Sequence, residues 1–462
     1  MSESVNIREI VLNLLEDIQK TGRPLQAAIH QALMKYQYLD KKDRSFISRV
    51  TRGTIEEQIY LDHVISQFSS VKLSKIKPVI KMILRMSAYQ LLKMDNVPAH
   101  AVCNEAVKLA SRRGFYGLKG FVNGVLRNID RSRERIKLPD MKTEPVSYLS
   151  VVYSMPEWII SRWLETYDFE TVRTMLSAML REQEVTVRIN TDKISVPEFF
   201  EAAGRESGCS HFGDEAGLLA KPGRYVPFAA GLSGFDHLNS LEIFNRGLCF
   251  VQDESSMLAG LLAGIQKGDK IIDVCAAPGG KSMNAALLGG IVCARDISAA
   301  KTEKITENLL RTGIENIEVR IKDAEVFYEE DEARADVVIA DVPCSGLGIL
   351  GKKADIKYRL KESDIQQLVQ LQRRILENAW RYVKPGGILM YSTCTISREE
   401  NIGQLKWLLK EFPLEAADFS KDLPAALREN LSEDARRGFI QLLPGIDDCD
   451  GFFIAKLRRR RD

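Results

Sequence analysis

Two cysteines occupy positions where a parallel-sheet enzyme keeps its reactive groups. The apolar run 337–340 ends in Asp341-Val342-Pro343-Cys344-Ser345-Gly346, and the run 388–392 ends in Tyr391-Ser392-Thr393-Cys394-Thr395. Each puts a thiol just past a strand, on the side where doubly wound sheets bind ligands. A thiolate there can add to an electron-poor carbon. Another strand, 271–275, runs straight into Asp273-Val274-Cys275-Ala276-Ala277-Pro278-Gly279-Gly280-Lys281-Ser282. Small residues in such a turn let backbone approach a ligand, and the helix start supplies free N–H groups. Asp296 ends the next strand, 23 residues after Asp273, and Asp323 closes the one after that. An acid about 20 residues past a glycine turn holds ribose hydroxyls in adenosyl-binding folds. Asp323 can accept a hydrogen bond from an adenine amine or help hold the cofactor. Strand-end aspartates also commonly cap the following helix, so the pattern lies in three consecutive strand ends rather than in one.

Three nucleotide sites compete for this turn. A dinucleotide site needs GxGxxG, which is absent. A phosphate loop needs GxxxxGK[ST]. Gly280-Lys281-Ser282 fits its end, and 337–341 resembles an acidic magnesium strand, but Cys275 replaces the first glycine and Pro278 removes a backbone donor. An NTPase therefore fits poorly, and an adenosyl cofactor without phosphates fits best. Two cysteines and an acid beside such a pocket suit methylation of carbon 5 of a pyrimidine. That carbon is a weak nucleophile until a thiolate adds to carbon 6, while an acid near the ring nitrogen and amine stabilises the adduct. Spacing alone does not say which cysteine attacks. The other six, Cys103, Cys209, Cys249, Cys275, Cys293 and Cys449, read as packing or tolerated thiols.

The elements that must position these residues are legible in outline. From about residue 241, short β-rich runs at 271–275, 291–295, 317–321, 337–340 and 388–392 alternate with helical segments, which implies right-handed crossovers and a parallel α/β sheet. Runs at 440–443 and 452–457 suggest an edge hairpin. Residues 141–240 mix a helix near 157–167, a strand near 184–189 and a helix near 196–203, a small α+β connector. Residues 1–140 carry apolar positions at helical spacing, broken by Thr21-Gly22-Arg23-Pro24 and Asn96-Val97-Pro98, and predict an all-α bundle of about seven helices. The expected domains are thus 1–140, 141–240 and 241–462.

The chain of 462 residues has a formal net charge of only +2, yet residues 1–140 sum to +10 and the remainder to −8. Residues 112–137 hold eight Lys or Arg against two acids, with Phe115, Tyr116 and Phe121 among them. That composition suits a surface that neutralises phosphates and stacks on bases; the alternative is a solvated helix face with its aromatics turned inward. The apolar stretches fall short of a membrane span, and the polar start is no signal peptide. There is no CxxC, HExxH or zinc-spaced cluster. A cytosolic protein with no membrane association and no metal is expected, and nothing marks an obligate oligomer, so a monomer is expected too.

The motifs DVCAAPGGK, DVPCSG and STCT in this order, with VQDESS before them and DGFF near the end, resemble the RNA 5-methylcytosine methyltransferases of the Sun/RsmB type. VPAHAVCNEAVKLA and GFVNGVLRNI in the front half resemble the NusB-like RNA-binding domain fused to bacterial members. The resemblance implies a NusB-like bundle, a connector and a Rossmann-like methyltransferase domain that modifies a cytidine of small-subunit rRNA, naked or partly assembled. It implies Cys394 as nucleophile on carbon 6, Cys344 as the residue assisting product release, and Asp341 beside both base and cofactor. The S-adenosylmethionine pocket maps to Cys275, Ala276, Ala277, Pro278, Gly279, Gly280 and Lys281, with Asp296 on the ribose and Asp323 near the adenine. Lys281 is implied to help orient the base. One departure is Ser298-Ala299-Ala300 after Asp296, where many relatives are more polar. A non-catalytic RNA-binding or assembly factor is the contrasting reading, and it predicts a lost motif where none is lost.

Overall fold

The computed structural model describes residues 6–181, 184–207, 217–235 and 237–461, so Cys209 lies outside the described residues. Seven α-helices fill the first part: Ile7–Thr21, Leu25–Lys35, Lys41–Glu56, Gln58–Phe68, Pro78–Lys93, Ala99–Arg112 and Lys119–Arg131. Their starts and stops follow local chemistry. Asn6 and Asp40 accept backbone N–H bonds at two N-termini, Pro78 opens the fifth helix, and Gly22 ends the first with φ +67°. Val11, Leu15, Ile47, Leu61, Ile83 and Leu126 are among the side chains buried between them.

The compact unit built on these helices runs to Leu180 and also takes in Leu350–Leu360. The helix Pro145–Tyr153 belongs to it: Ser154, at its C-terminal end, accepts the Tyr60 N–H through Oγ at 2.9 Å. The segment Leu350–Leu360 is held by buried polar groups. Asp355 accepts the Leu25 N–H, Lys357 Nζ donates to the Glu56 carbonyl, and Tyr358 Oη reaches the Glu56 and Ser154 carbonyls. Burial pushes the Lys357 ammonium down to about 8.

The second unit contains two sheets. Strands β1 (Val185–Ile189), β2 (Leu219–Pro222), β3 (Ala229–Ser233) and β4 (Cys249–Val251) form an antiparallel sheet in the order β2-β3-β1-β4. Phe199 and Ala203 of the helix Val196–Ser207 pack with Val187, Ile189, Ala230 and Leu232. This is the expected α+β pattern.

The larger sheet contains β5 (Lys270–Asp273), β6 (Ile291–Asp296), β7 (Ile317–Ile321), β8 (Ala335–Asp341), β9 (Val383–Thr393), β10 (Leu414–Ala416), β11 (Phe439–Leu442) and β12 (Phe452–Arg459). Its order is β10-β12-β9-β8-β5-β6-β7, with β11 paired to β12. Strands β5 to β9 run parallel, and β12 lies antiparallel to β9. The expected hairpin is present as β11 and β12. Alternation along the central strands covers both faces: Ile271, Val337, Ile339 and Met390 join one core, and Ile272, Val338, Ala340 and Leu389 the other. The chain proceeds from β5 to β6 and β7 on one side, then places β8 on the other side of β5. The crevice at that reversal is where an open parallel sheet takes its ligand. No helix among the described residues is long and apolar enough to cross a membrane.

Candidate active site

The glycine turn after β5 is shaped by close approach. Gly279 has φ +105°, which favours glycine, and a Cβ there would come within 3.2 Å of Ile305. The Ala276 N–H donates to the Arg295 carbonyl at 2.8 Å, and the Ala277 N–H donates to Asp296 Oδ2 at 2.9 Å. Asp296 thus stands at the tip of β6 against the turn, as expected. Its Oδ1 also accepts the Ile297 N–H and pairs with Lys301 Nζ at 2.9 Å, a partner that sequence spacing did not single out. Asp323 lies just past β7 and is partly buried, and its contacts are local: Oδ1 accepts the Glu325 N–H, and its own N–H donates to Tyr328 Oη.

Asp273 is fully buried and accepts Ser282 Oγ at 2.7 Å through Oδ2, while Oδ1 is buried without a partner. Burial pushes its carboxyl up to about 7, against the hydrogen bond from Ser282. Gln252, from the VQDESS motif, lies beside Gly280 and also has a buried, unpartnered Oε1. Glu254 of the same motif accepts the N–H groups of Arg224, Tyr225 and Val226, which explains the motif as a brace for that turn. Burial also pushes the Cys275 thiol up, so this cysteine is no nucleophile.

The donor set tests which cofactor this turn can hold. Lys281 Nζ is bound to Asp341 Oδ2 at 2.7 Å, Pro278 offers no N–H, and the carboxylates Asp273, Asp296 and Asp341 surround the turn. A polyphosphate would meet like charge and no free cation, which removes the phosphate-loop reading. The acidic surroundings of the turn instead suit a ligand bearing ammonium and hydroxyl donors, as an adenosyl amino acid does. Among the described residues no group of three or more His, Cys, Asp or Glu side chains is arranged to hold a metal ion.

The β8–β9 register pairs Asp341 with Ser392, which brings the chain beyond both strands together. Ser392 Oγ donates to Asp341 Oδ1 at 2.8 Å, so this carboxylate is oriented from two sides, by Ser392 and Lys281. The Lys281 ammonium lies 5.0 Å from the ring of Phe452, in the DGFF motif. Cys344 Sγ and Cys394 Sγ are 3.3 Å apart. The hydrogen bond to Cys394, burial, and the charges of Cys394, Glu400 and Asp341 all raise the Cys344 thiol well above its ordinary range. Its partner across that contact is Cys394 Sγ, and either sulfur can be the donor.

Three backbone segments close around this pair. The Gly348 N–H donates to the Cys394 carbonyl at 3.0 Å, and the Gly451 N–H donates to the Gly348 carbonyl at 2.9 Å. Phe453 pairs with Thr393, which sets the DGFF turn beside the Cys394 loop. Sequence spacing missed Ser392, Gln372 and Glu400. Glu400 is buried at 0 % exposure, yet nothing local distinguishes it from its neighbour Glu399.

Residues 261–458 match the family model "16S rRNA methyltransferase RsmB/F", residues 5–131 match the NusB family, and residues 155–224 match the ferredoxin-like domain of RsmF/B-like methyltransferases. The probable ribosomal RNA small subunit methyltransferase B of Bacillus subtilis is 32 % identical over 464 residues, covering 99 % of this chain and all of the relative. Ribosomal RNA small subunit methyltransferase B of Klebsiella pneumoniae is 27 % identical over the full length of both. The crystal structure of PH0851 superposes with a TM-score of 0.78 at 25 % identity, covering 98 % of this chain and 99 % of that one.

Proposed function

The chain belongs to the RsmB/F family of 16S rRNA methyltransferases, and on that premise we propose that it methylates carbon 5 of a cytidine in small-subunit rRNA through a covalent bond between Cys394 Sγ and carbon 6. The observation that carries this reading is the pair of thiols at 3.3 Å beside the Lys281–Asp341 ion pair. A single thiol would suffice for adding to carbon 6. A second one at contact distance suits the elimination that must follow.

S-adenosylmethionine, the methyl donor this family implies, supplies when bound a methyl group on a sulfonium. The turn at 275–280 and Asp296 are the residues that would hold it, and Asp323 is proposed on the adenine side. The chain's own groups do the remainder. Cys394, as thiolate, adds to carbon 6 and pushes the ring electrons toward carbon 5. Asp341, fixed by Lys281 and Ser392, orients the base by accepting from the cytosine amine, and the Lys281 ammonium beside it offsets the negative charge that develops on the ring. After carbon 5 has taken the methyl group, its proton must leave to a base, the Cys394–carbon 6 bond breaks, and the double bond returns. Cys344 assists that release from its place against Cys394. The helical unit, with exposed Lys119, Arg127, Arg131 and Arg135, is proposed to hold the rRNA.

Replacing Cys394 by Ala should abolish methyl transfer to rRNA, and Cys344→Ala should accumulate a protein–RNA adduct stable to denaturing electrophoresis. Full methylation by Cys394→Ala, with cytosine-5 as the modified atom by bisulfite sequencing, would overturn the assignment of the nucleophile.

A further inference from the structure

We propose that Glu400 is a positioning residue whose carboxylate ties the loop after Cys344 to the loop after Cys394 and so sets the spacing of the two thiols. The inference rests on the roles given to these cysteines above. Ser345 follows Cys344 and Thr395 follows Cys394, and both side chains converge on Glu400. Oε1 accepts the Ser345 N–H at 2.8 Å and Gln372 Nε2 at 3.0 Å, and Oε2 accepts Ser345 Oγ at 2.6 Å. Ser345 Oγ and Thr395 Oγ1 lie 2.6 Å apart.

Ser345 and Thr395 can each donate one proton and accept others, and Thr395 Oγ1 also accepts the Ser397 N–H at 3.2 Å. Oε1 of Glu400 faces two N–H donors, the Ser345 amide and Gln372 Nε2, which hold the carboxyl in place. Burial pushes the Glu400 carboxyl up, and the bonds from Ser345 and Gln372 oppose that rise. Its backbone is fixed as well, since Tyr391 Oη donates to the Glu400 carbonyl. Gln372, on the helix Glu362–Tyr382, also donates to the Pro343 carbonyl at 3.0 Å, which extends the tie to the residue before Cys344.

The clamp has two consequences. It sets geometry, because both cysteine loops are hydrogen-bonded to one rigid group. It also sets electrostatics, because a buried negative charge near Cys344 favours the protonated thiol there. Both act at a distance from substrate, since Glu400 is fully enclosed by protein.

The test uses the full-length chain carrying Glu400→Gln or Ser345→Ala. Glu400→Gln removes the charge and places an amide nitrogen against either the N–H donors on Oε1 or the hydroxyls on Oε2. Ser345→Ala keeps the Ser345 N–H bond to Oε1 and removes only the hydroxyl link, so it preserves the fold if the first variant does not. The first readout needs no RNA: iodoacetamide alkylation of Cys344 and Cys394, resolved by mass spectrometry. Loss of the charge should raise the Cys344 rate relative to Cys394 by about tenfold in Glu400→Gln, equivalent to about one pKa unit, and by less in Ser345→Ala. The second readout is turnover, where kcat should fall about 10²-fold with the KM values for S-adenosylmethionine and RNA unchanged. An unaltered alkylation ratio in a folded variant overturns the clamp, as does a KM effect without a kcat effect. If the unsubstituted protein transfers no methyl group to cytosine, the functional reading fails while the alkylation ratio still decides the clamp.

Discussion

Substituting Gly348 by Ala isolates the contact among the three loops of the active site. The three atoms nearest a Cβ at this position are all backbone: it overlaps the Gly451 carbonyl oxygen, lies 2.6 Å from the Gly451 carbonyl carbon and 2.9 Å from the Cys394 carbonyl oxygen. Ordinary contact begins at 3.4 Å, so relief requires the Cys394 backbone to retreat by about 0.5 Å and the Gly451 segment by more. No flexible side chain can yield instead. The Gly348 N–H bond to the Cys394 carbonyl and the Gly451 N–H bond to Gly348 would both lengthen. Overpacking of this kind costs about 1–3 kcal/mol of stability, against a total of about 5–15 kcal/mol, so the protein should remain folded. A misplacement near 1 Å at a reacting group costs about 10²-fold in rate, so a retreat of about 0.5 Å at Cys394 should cost about tenfold, or about 1.4 kcal/mol of transition-state energy. Label transfer from S-adenosylmethionine to rRNA at saturating substrate should therefore show kcat down about tenfold. Cofactor affinity by calorimetry should hold, because the bond between Ala277 and Asp296 involves none of these residues. A folded Gly348→Ala protein with the original kcat would refute the account of how Cys394 is placed.

Two further outcomes follow from the same structure. Asp273 has its folded-state pKa raised to about 7 by burial, so between about pH 4 and pH 7 the folded state binds a proton that the unfolded state has released, and its contribution to stability declines as pH rises through that window. Asp273→Asn should flatten the fall in Tm between about pH 5 and pH 8, and an equally steep fall in the variant would contradict the buried, protonated assignment. On the helical unit, Arg112 and Arg113 are paired with Glu9 and Glu16, and Lys119, Arg127, Arg131 and Arg135 are exposed. Neutralising the latter four should weaken RNA binding and lessen its salt slope by about 0.7–0.9 for each phosphate no longer neutralised, with S-adenosylmethionine affinity unchanged; a slope that stays put would mark them as a solvated face.

The candidate residues for the chemistry were legible in the amino-acid sequence. A turn such as Cys275–Gly280 is local: its glycines, the following helix and the acid at the next strand end lie within a few tens of residues, where steric limits and hydrophobic alternation act directly on neighbouring positions. The same holds for the two cysteines, each read from the strand it follows, and for the seven helices of the bundle, whose apolar spacing and capping residues are local signals. What only the tertiary structure decided is which of these local pieces meet. The 3.3 Å between Cys344 and Cys394 follows from the β8–β9 register, and the placing of the DGFF turn beside them follows from an antiparallel β12 that inserts next to β9. The segment Leu350–Leu360 packs with the helical unit although it follows the Cys344 loop in sequence, because its Asp355, Lys357 and Tyr358 find their hydrogen-bond partners there. Glu400 shows the reason most clearly. A glutamate between polar neighbours reads as surface, and only the convergence of Ser345, Gln372 and Thr395 from three separate stretches turns it into a buried acceptor. Composition and spacing encode pairs within one strand–turn–helix unit, whereas register and sheet order select among distant pairs, and that selection is an energy of the whole packed sheet.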